Sequence, residues 1–247
     1  MKKERVDFAM QFMSDKVEYF QSLTVPQFFG GDVDMGDYPV VEDWCEMNKG
    51  EFDCYFHGVS KAALVSEKSN WVVKIPFNSH CLYNYNPEEE GYDYDKPDWY
   101  EYCDAGEFGW NYCALELDIY EEVEAAGLGI FLAETRFFCH TANNYPIYIQ
   151  EKVIAENSWR NSEKINPSKK SLSIAKTIKQ KSYTRLSDKW LATAIDFYGE
   201  EKVKEFLHYI NEVNPRMEED LHGGNYGYRC SDGSPCLLDF SGWDEDI

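Results

Sequence analysis

The chain has 247 residues, of which 45 are acidic and 24 basic, so its formal net charge at pH 7 is −21. Hydrophobic residues make up 43% of the chain and aromatic residues 16%, which is enough to form a core and excludes global disorder. A surface this acidic repels nucleic acids and anionic membranes, which would need a local basic patch to bind. The length allows one or two domains.

Neither membrane spans nor disulfides are expected. No apolar stretch reaches the roughly 18 residues of a transmembrane helix, and acidic residues interrupt the N-terminal segment. The eight cysteines form no CxxC pair and do not cluster with the five histidines, so we expect reduced thiols and no zinc site. We therefore expect a soluble, cytoplasmic protein with no membrane partner.

The first part of the chain contains one helical pattern. Apolar residues from Val6 to Phe20 recur at steps of three and four residues, which predicts a helix over residues 4–23. A stretch rich in glycine and aspartate follows, and it predicts a loop because glycine interrupts regular elements. We interpret residues 1–49 as a helical flank and a linker.

From residue 50 onward, β-branched and aromatic runs predict strands around one helix. The helix is rich in Ala, Leu and Glu and ends at Gly127. A segment dense in Asp, Glu and Tyr predicts a solvated insertion. In chain order, the predicted elements are strands at 51–66 and 70–77, the acidic insertion at 84–107, the helix at 113–127, and strands at 130–138 and 145–153.

The second half of the chain carries a basic segment. Residues 160–189 contain nine lysines and arginines against two acidic residues, which predicts a flexible solvated insertion. Recruitment of an acidic protein or a nucleic acid is the alternative, and we expect no nucleic-acid partner elsewhere. Helical patterns follow at 188–199 and 200–213. Asp232-Gly233 then predicts a hairpin turn between two strands.

Four polar residues near the end of the sequence form the strongest candidate site. Asp220, His222, Asn225 and Asp239 lie within twenty residues of one another, with glycines between them. Carboxylate and amide oxygens are the ligands that Mg²⁺ prefers, and it takes one or two of them from protein and the others from water and phosphates. The sequence therefore predicts a magnesium site here.

These residues resemble two motifs of the protein-kinase-like superfamily. DLHGGN, residues 220–225, reproduces the Asp-Leu-x-x-x-Asn spacing of the catalytic loop, and LLDFSG, residues 237–242, resembles the Asp-Phe-Gly metal-binding turn. VVKI places Lys74 where kinases carry the lysine of their third strand, and the helix with Glu116 follows, as in the family. The loop is similar to those of small phage-encoded serine/threonine kinases and of aminoglycoside-phosphotransferase-like kinases.

The resemblance implies a bilobal α+β fold and an ATP- and Mg²⁺-dependent phosphotransferase that acts on serine or threonine of a protein substrate. It implies an N-lobe at 50–153, with a small antiparallel sheet and a helix, and a reduced, mainly helical C-lobe at 154–247. ATP would lie between the lobes. A small-molecule kinase and an inactive pseudokinase or acidic binding module remain alternatives, because fold does not settle function.

The resemblance also implies a role for each residue. Lys74 would hold the α- and β-phosphates and pair with Glu116, and Asp220 would accept the proton of the substrate hydroxyl. Asn225 and Asp239 would hold Mg²⁺. The loop-orienting residue would be His222, and the nucleotide-binding residues would be Gly58, Ser60, Lys74, Gln150 and Lys152.

The acidic partner of Lys74 has competitors. Asp118, Glu121 and Glu122 lie on the same predicted helix as Glu116. Because only one face of a helix can meet a given neighbour, these four residues cannot all contact Lys74.

The sequence departs from the family pattern in four places. The glycine-rich loop is reduced to Gly58, which implies a weaker grip on phosphate. Glu218-Glu219 replaces the usual His-Arg, so we expect no control by a phosphorylated activation loop. Ser241 displaces the glycine of the metal-binding turn. Eight residues follow Asp239 in this sequence, so we expect neither an activation segment nor the usual peptide-binding platform.

Overall fold

The computed structural model describes residues 13–25, 39–58, 61–76, 85–86, 91–92, 111–158, 165–219 and 221–241. These residues form an α+β fold with two compact units. The first unit takes its described residues from Met1–Ala114 and Arg136–Ile149, and the second from Leu115–Thr135 and Gln150–Ile247. Each unit has its own hydrophobic core.

The elements are numbered in chain order. The helices are α1 (Val17–Ser22), α2 (Pro39–Asn48), α3 (Tyr112–Ala125), α4 (Lys169–Lys179), α5 (Asp188–Tyr198), α6 (Glu200–His208) and α7 (Arg216–Glu219), with a 3-10 turn at Gly129–Phe131 and a π-helical turn at Tyr209–Val213. The strands are β1 (Cys54–His57), β2 (Lys61–Val65), β3 (Trp71–Pro76), β4 (Tyr85–Asn86), β5 (Gly91–Tyr92), β6 (Thr135–His140), β7 (Pro146–Glu151), β8 (Val153–Ala155), β9 (Tyr226–Arg229) and β10 (Pro235–Leu237).

The first unit is built on a five-stranded antiparallel sheet in the order β1-β2-β3-β7-β6. The single strand predicted at 51–66 was wrong: the run folds back on itself as β1 and β2. Gly58 ends β1, and its N–H donates to the carbonyl of Lys61 at 2.9 Å, which closes the turn. The strand predicted at 70–77 is confirmed as β3.

The N-terminal helices pack on this sheet. Phe20 of α1 is fully buried and meets the rings of Phe52 and Phe138 edge-on, each at a centroid distance of 5.9 Å. The chain after α1 is fixed to the turn between β6 and β7, because the amide group of Asn143 binds both the N–H and the carbonyl of Val25. The part of the predicted helix before Met13 lies outside the described residues.

Helix α2 occupies residues for which the sequence predicted a loop. Its buried side chains include Val41, Trp44 and Cys45, which follow the three- and four-residue spacing of a helix face. The indole N–H of Trp44 donates to the carbonyl of Thr24 at 2.9 Å. The loop prediction was therefore wrong here, and this short apolar pattern is the signal that could have corrected it.

The second unit has a helical core and a three-stranded antiparallel sheet in the order β10-β9-β8. Trp190 of α5 and Phe206 of α6 are fully buried, and Phe206 stacks on Phe131 at a centroid distance of 4.3 Å. The helices predicted at 113–127, 188–199 and 200–213 are confirmed by α3, α5 and α6. Gly127 and Gly199 follow α3 and α5 with positive φ angles, as expected for glycines that end helices.

The basic segment is folded where it is described. Ser168 caps helix α4 by accepting the N–H of Ser171 at 3.1 Å, and Ala175 and Ile178 are buried against neighbouring elements. Helix α4 packs on α5. The prediction of a flexible insertion was therefore wrong for residues 165–189, while 159–164 lie outside the described residues.

Three remaining features bear on the sequence predictions. Within the acidic insertion, β4 and β5 form a short antiparallel pair, and the remainder of 84–107 lies outside the described residues. Among the described residues, no helix combines the length and apolar character required to cross a membrane. The described cysteines all have free thiols, as predicted; they are Cys45, Cys54, Cys113, Cys139, Cys230 and Cys236.

We predict that Gly227→Ala strongly destabilises the second unit. A Cβ atom at Gly227, in the central strand β9, would lie 2.0 Å from the carbonyl oxygen of Ile154 on β8. Such overpacking costs about 1–3 kcal/mol or more. Gly58→Ala is the matched control, because among the described residues, its chain neighbours aside, no heavy atom lies within 4 Å of the place that its methyl group would take. Chemical denaturation should show a lower midpoint for Gly227→Ala alone, and equal midpoints for both variants would contradict this packing.

Candidate active site

The candidate site is organised by the hairpin of β9 and β10. The predicted turn at Asp232-Gly233 is confirmed: Gly233 has a φ of +77°, and Asp232 Oδ1 accepts the N–H of Ser234 at 2.9 Å. The strands pair in antiparallel register from Tyr228↔Pro235 to Tyr226↔Leu237. A hairpin brings the residues just before its first strand next to those just after its second.

Asn225 and Asp239 meet at the open end of this hairpin. The main-chain carbonyl of Asn225 accepts the N–H of Leu238 at 2.9 Å and the N–H of Asp239 at 3.3 Å. The Asn225 side chain is buried, whereas Asp239 is half-buried and accepts a hydrogen bond from Ser241 Oγ at 3.4 Å. Two oxygen-bearing side chains that are distant in sequence therefore lie on adjoining backbone segments.

A tight turn precedes Asn225. The N–H of Asn225 donates to the carbonyl of His222 at 2.8 Å, and the N–H of Gly224 donates to Nδ1 of the same histidine at 3.0 Å. A Cβ atom at Gly224 would lie 2.7 Å from the imidazole, so this position requires glycine unless the ring moves. The imidazole of His222 thus braces the turn, which is compatible with the loop-orienting role that the resemblance implies.

Asp220 itself lies outside the described residues, but the segment on its N-terminal side is firmly anchored. Glu218 is buried, and its carboxylate accepts the N–H of Arg185 at 2.5 Å and the hydroxyl of Thr184 at 3.3 Å. Burial raises the pKa of Glu218, although these hydrogen bonds oppose the shift. From the sequence, Glu218 is recognisable only as a departure from the kinase motif, because its hydrogen-bond partner Arg185 lies 33 residues away.

Lys74 lies within the sheet of the first unit. It is on β3, opposite Ala63 of β2, and is 5% exposed, between the fully buried Val73 and Ile75. A lysine at a solvated strand end would be exposed. Because an ammonium group is costly to bury, this position is typical of a lysine with a charged partner or ligand.

Glu116 is on α3 and belongs to the second unit. Its relative exposure is 0%, whereas its three acidic competitors on the same helix, Asp118, Glu121 and Glu122, are exposed. The helix therefore turns only Glu116 of these four toward the protein interior. A fully buried carboxylate, like a buried ammonium, requires compensation by a partner.

The remaining predicted nucleotide-binding residues differ in their surroundings. Gly58 is exposed at the end of β1, and Ser60 lies outside the described residues. Gln150 is buried and donates to Thr135 Oγ1 at 2.9 Å, so its amide nitrogen is used inside the second unit. Lys152 is half-buried, and its carbonyl accepts the N–H of Cys230 at 2.9 Å.

Arg229, a half-buried residue that the sequence did not single out, fixes the hairpin to its surroundings. The Nε of Arg229 donates to Glu151 at 2.8 Å, and its terminal nitrogens donate to Leu132, Tyr198 and Ser234. These bonds join β9 to β7, to the chain after the 3-10 turn, and to α5. Charge-assisted hydrogen bonds of this kind restrict the position of the hairpin more than neutral ones would.

The donor chemistry of the site fits magnesium. Across the described residues, no three His, Cys, Asp or Glu side chains are grouped so that they could hold a metal ion. Mg²⁺ needs fewer protein ligands than such a cluster provides, because water and phosphate complete its coordination. The amide of Asn225 and the carboxylate of Asp239 carry oxygen atoms of the kind that Mg²⁺ prefers, and their backbone segments are neighbours.

Comparison of the chain with protein-family models, with curated proteins and with solved structures found no match.

We predict that Glu218→Gln changes the pH dependence of stability. Because the pKa of Glu218 is raised above 4.5, the folded state holds a proton that the unfolded state releases, so this residue lowers stability as pH rises above 4.5. Glutamine keeps an oxygen acceptor for Arg185 and does not titrate. The stability of the variant relative to the wild type should therefore increase with pH in denaturant titrations from pH 4.5 upward.

Glu212→Gln, at an exposed position nearby, controls for the loss of one negative charge. The stability of Glu218→Gln relative to the wild type could instead stay constant or fall as pH rises. That result would show that burial does not determine the direction of the pKa shift of Glu218.

Proposed function

We propose that this chain is a bilobal, kinase-like phosphotransferase that uses ATP and Mg²⁺ to phosphorylate serine or threonine of a protein substrate. The observation that carries the proposal is the hydrogen-bonded contact of Asn225 with Leu238 and Asp239. It places the asparagine of the catalytic-loop pattern beside the aspartate of the metal-turn pattern, as the two roles require. Neither DLHGGN nor LLDFSG, taken alone, predicts that Asn225 contacts Leu238 and Asp239.

The metal would be held by the side chains of Asn225 and Asp239. When bound, Mg²⁺ would neutralise charge on the phosphates of ATP. The backbone around these two residues is held by the hairpin and by the turn at His222, so the protein does not need to assemble the ligands when the nucleotide arrives. Such preorganisation is the main contribution that a protein makes to phosphoryl transfer.

Asp220 would accept the proton of the substrate hydroxyl. Its neighbours on both sides are fixed. Before it, the carboxylate of Glu218 accepts hydrogen bonds from Thr184 and Arg185. After it, Leu221 is buried, and its N–H donates to the carbonyl of Glu218 at 3.2 Å. A general base must be held within hydrogen-bond reach of its proton. The anchors around Asp220 support that role.

Lys74 and Glu116 would supply the cation for the α- and β-phosphates and the carboxylate that orients it. The support comes from burial: each is a charged residue that is removed from solvent in the folded chain. The acidic neighbours of Glu116 on α3 lack this property.

A pseudokinase or acidic binding module is the second candidate function. It is favoured by the loop after β1, which has Gly58 as its single glycine and therefore offers fewer positions for close approach of the backbone to phosphate. Such a protein would bind a nucleotide or a partner protein without transferring phosphate.

We predict that phosphate transfer requires Asp220 and Asp239. Purified protein would be incubated with Mg²⁺ and γ-labelled ATP in a cell lysate, alongside Asp220→Ala and Asp239→Asn. Label should appear in protein. Asp220→Ala should reduce it by about 100-fold or more, since a general base contributes about 10²–10⁴-fold, and Asp239→Asn should reduce it because Mg²⁺ would lose its carboxylate ligand. Asp118→Asn, at an exposed position on α3, is the control and should retain activity.

The other outcomes separate the alternatives. Label that appears only in small molecules would replace the protein substrate with a metabolite. Mg²⁺-dependent ATP binding without transfer would favour the pseudokinase, and transfer that survives both variants would contradict the assigned site.

A further inference from the structure

Helix α4 and the turn that follows it carry a group of exposed cations within 17 consecutive residues. We define the basic face as Lys169, Lys170, Lys176, Lys181 and Arg185, all of which are exposed. Two of the lysines, Lys169 and Lys176, are two helical turns apart, about 10 Å along the axis. In a chain of net charge −21, this concentration of positive charge has the opposite sign to the molecule as a whole.

The basic face is carried by a rigid element. Opposite the lysines, Ser171, Ala175 and Ile178 are buried. Asp196 of α5 fixes the beginning of the helix, because its carboxylate accepts hydrogen bonds from the Ser168 N–H at 2.7 Å and from the Ser171 hydroxyl at 2.6 Å. The cations are therefore presented in a defined arrangement rather than on a flexible loop.

Two carboxylates near the lysines of the basic face have other partners: Asp188 lies 3.8 Å from Lys179, which is outside the face, and Asp196 accepts the hydrogen bonds described above. Glu218 accepts the main-chain N–H of Arg185, which belongs to the face. Among the described residues, no carboxylate lies within 4.0 Å of any lysine of the face.

The lysines of α6 show the contrast. Lys202 contacts Glu205 at 2.7 Å, and Lys204 contacts Glu200 and Glu201 at 2.7 and 2.9 Å. In α6 the positive charges are paired within the helix, whereas the lysines of the basic face have no such pair among the residues that the structure describes.

We propose that the basic face binds single-stranded nucleic acid. The lysines would contact phosphates, and Tyr183, which is 68% exposed and lies between Lys181 and Arg185 in the sequence, would stack on a base. Arg185 Nε donates to the Tyr183 hydroxyl at 3.2 Å, which couples the aromatic ring to a cation. An acidic polypeptide would use the lysines but has no comparable use for an exposed aromatic ring, and a base in a duplex cannot stack on it.

The acidic remainder of the molecule does not exclude this binding. At physiological ionic strength the Debye length is about 8 Å, so charges on distant surfaces are largely screened. The interaction should nevertheless be strongly salt-dependent, because counterions released from phosphates contribute much of the binding free energy.

The test uses fluorescence anisotropy with a labelled 20-nucleotide oligo(dT), titrated with the full chain at several salt concentrations. In a plot of the logarithm of the binding constant against the logarithm of the salt concentration, the slope should be about −0.7 for each phosphate contacted. The triple variant Lys169→Gln, Lys170→Gln, Lys176→Gln should reduce this slope by about 2. Tyr183→Ala should weaken binding about 5- to 100-fold without changing the slope.

The matched control is the double variant Lys202→Gln, Lys204→Gln, which also removes surface lysines and should bind like the wild type. Circular dichroism would verify that each variant retains its helices. No binding at low salt, or equal losses in the triple variant and the control, would overturn the proposal. Equal or tighter binding of a labelled poly-glutamate peptide, insensitive to Tyr183→Ala, would overturn it in favour of an acidic protein partner.

Discussion

The carbonyl oxygen of Asn225, which accepts the N–H groups of both Leu238 and Asp239, is the constraint on which the candidate site depends. It closes the open end of the β9–β10 hairpin and fixes where the Asn225 and Asp239 side chains begin. The hairpin can deliver this contact because its own turn is set by Asp232 and Gly233. A change in the length of the turn would shift the register and separate the two residues.

The hairpin is held in place by the core of the second unit. Tyr226 and Leu237 are buried, and the indole N–H of Trp190 on α5 donates to the carbonyl of Gly227 at 3.2 Å. Gly227 allows β8 to approach closely, and Arg229 joins the hairpin to three other segments. The same packing that stabilises this unit therefore positions the polar residues at the open end of the hairpin, so stability and function are expected to be coupled here.

Many of the helices and turns could be predicted from the sequence, because one local signal dominates at each of them. Richness in Ala, Leu and Glu and a terminal glycine predicted α3, and Asp232-Gly233 predicted the hairpin turn. Helix α4 was missed because its lysines and serines outweigh a weak apolar stripe, although the capping residue Ser168 marks its start. The break at Gly58 was missed because an isolated glycine inside a strand pattern is also compatible with one bulged strand.

The residues of the candidate site also fall into those that the sequence predicted and those that it could not predict. The spacing of Asn225 and Asp239 predicted that they act together, and their backbone contact is compatible with that prediction. Glu218 could not be recognised, because its role depends on Arg185, which only the tertiary structure brings near. The roles of Lys74 and Glu116 stay predictions, since burial indicates that each charge matters and does not identify its ligand.

The most direct test of the central claim is a crystal structure of the protein with Mn²⁺, in place of Mg²⁺, and a non-hydrolysable ATP analogue. Anomalous scattering locates the metal independently of any assumption about the site. We expect an anomalous peak within about 2.5 Å of oxygens of both Asn225 and Asp239, with the remaining metal ligands from phosphate and water. A bound nucleotide whose metal lies away from these two residues would contradict it.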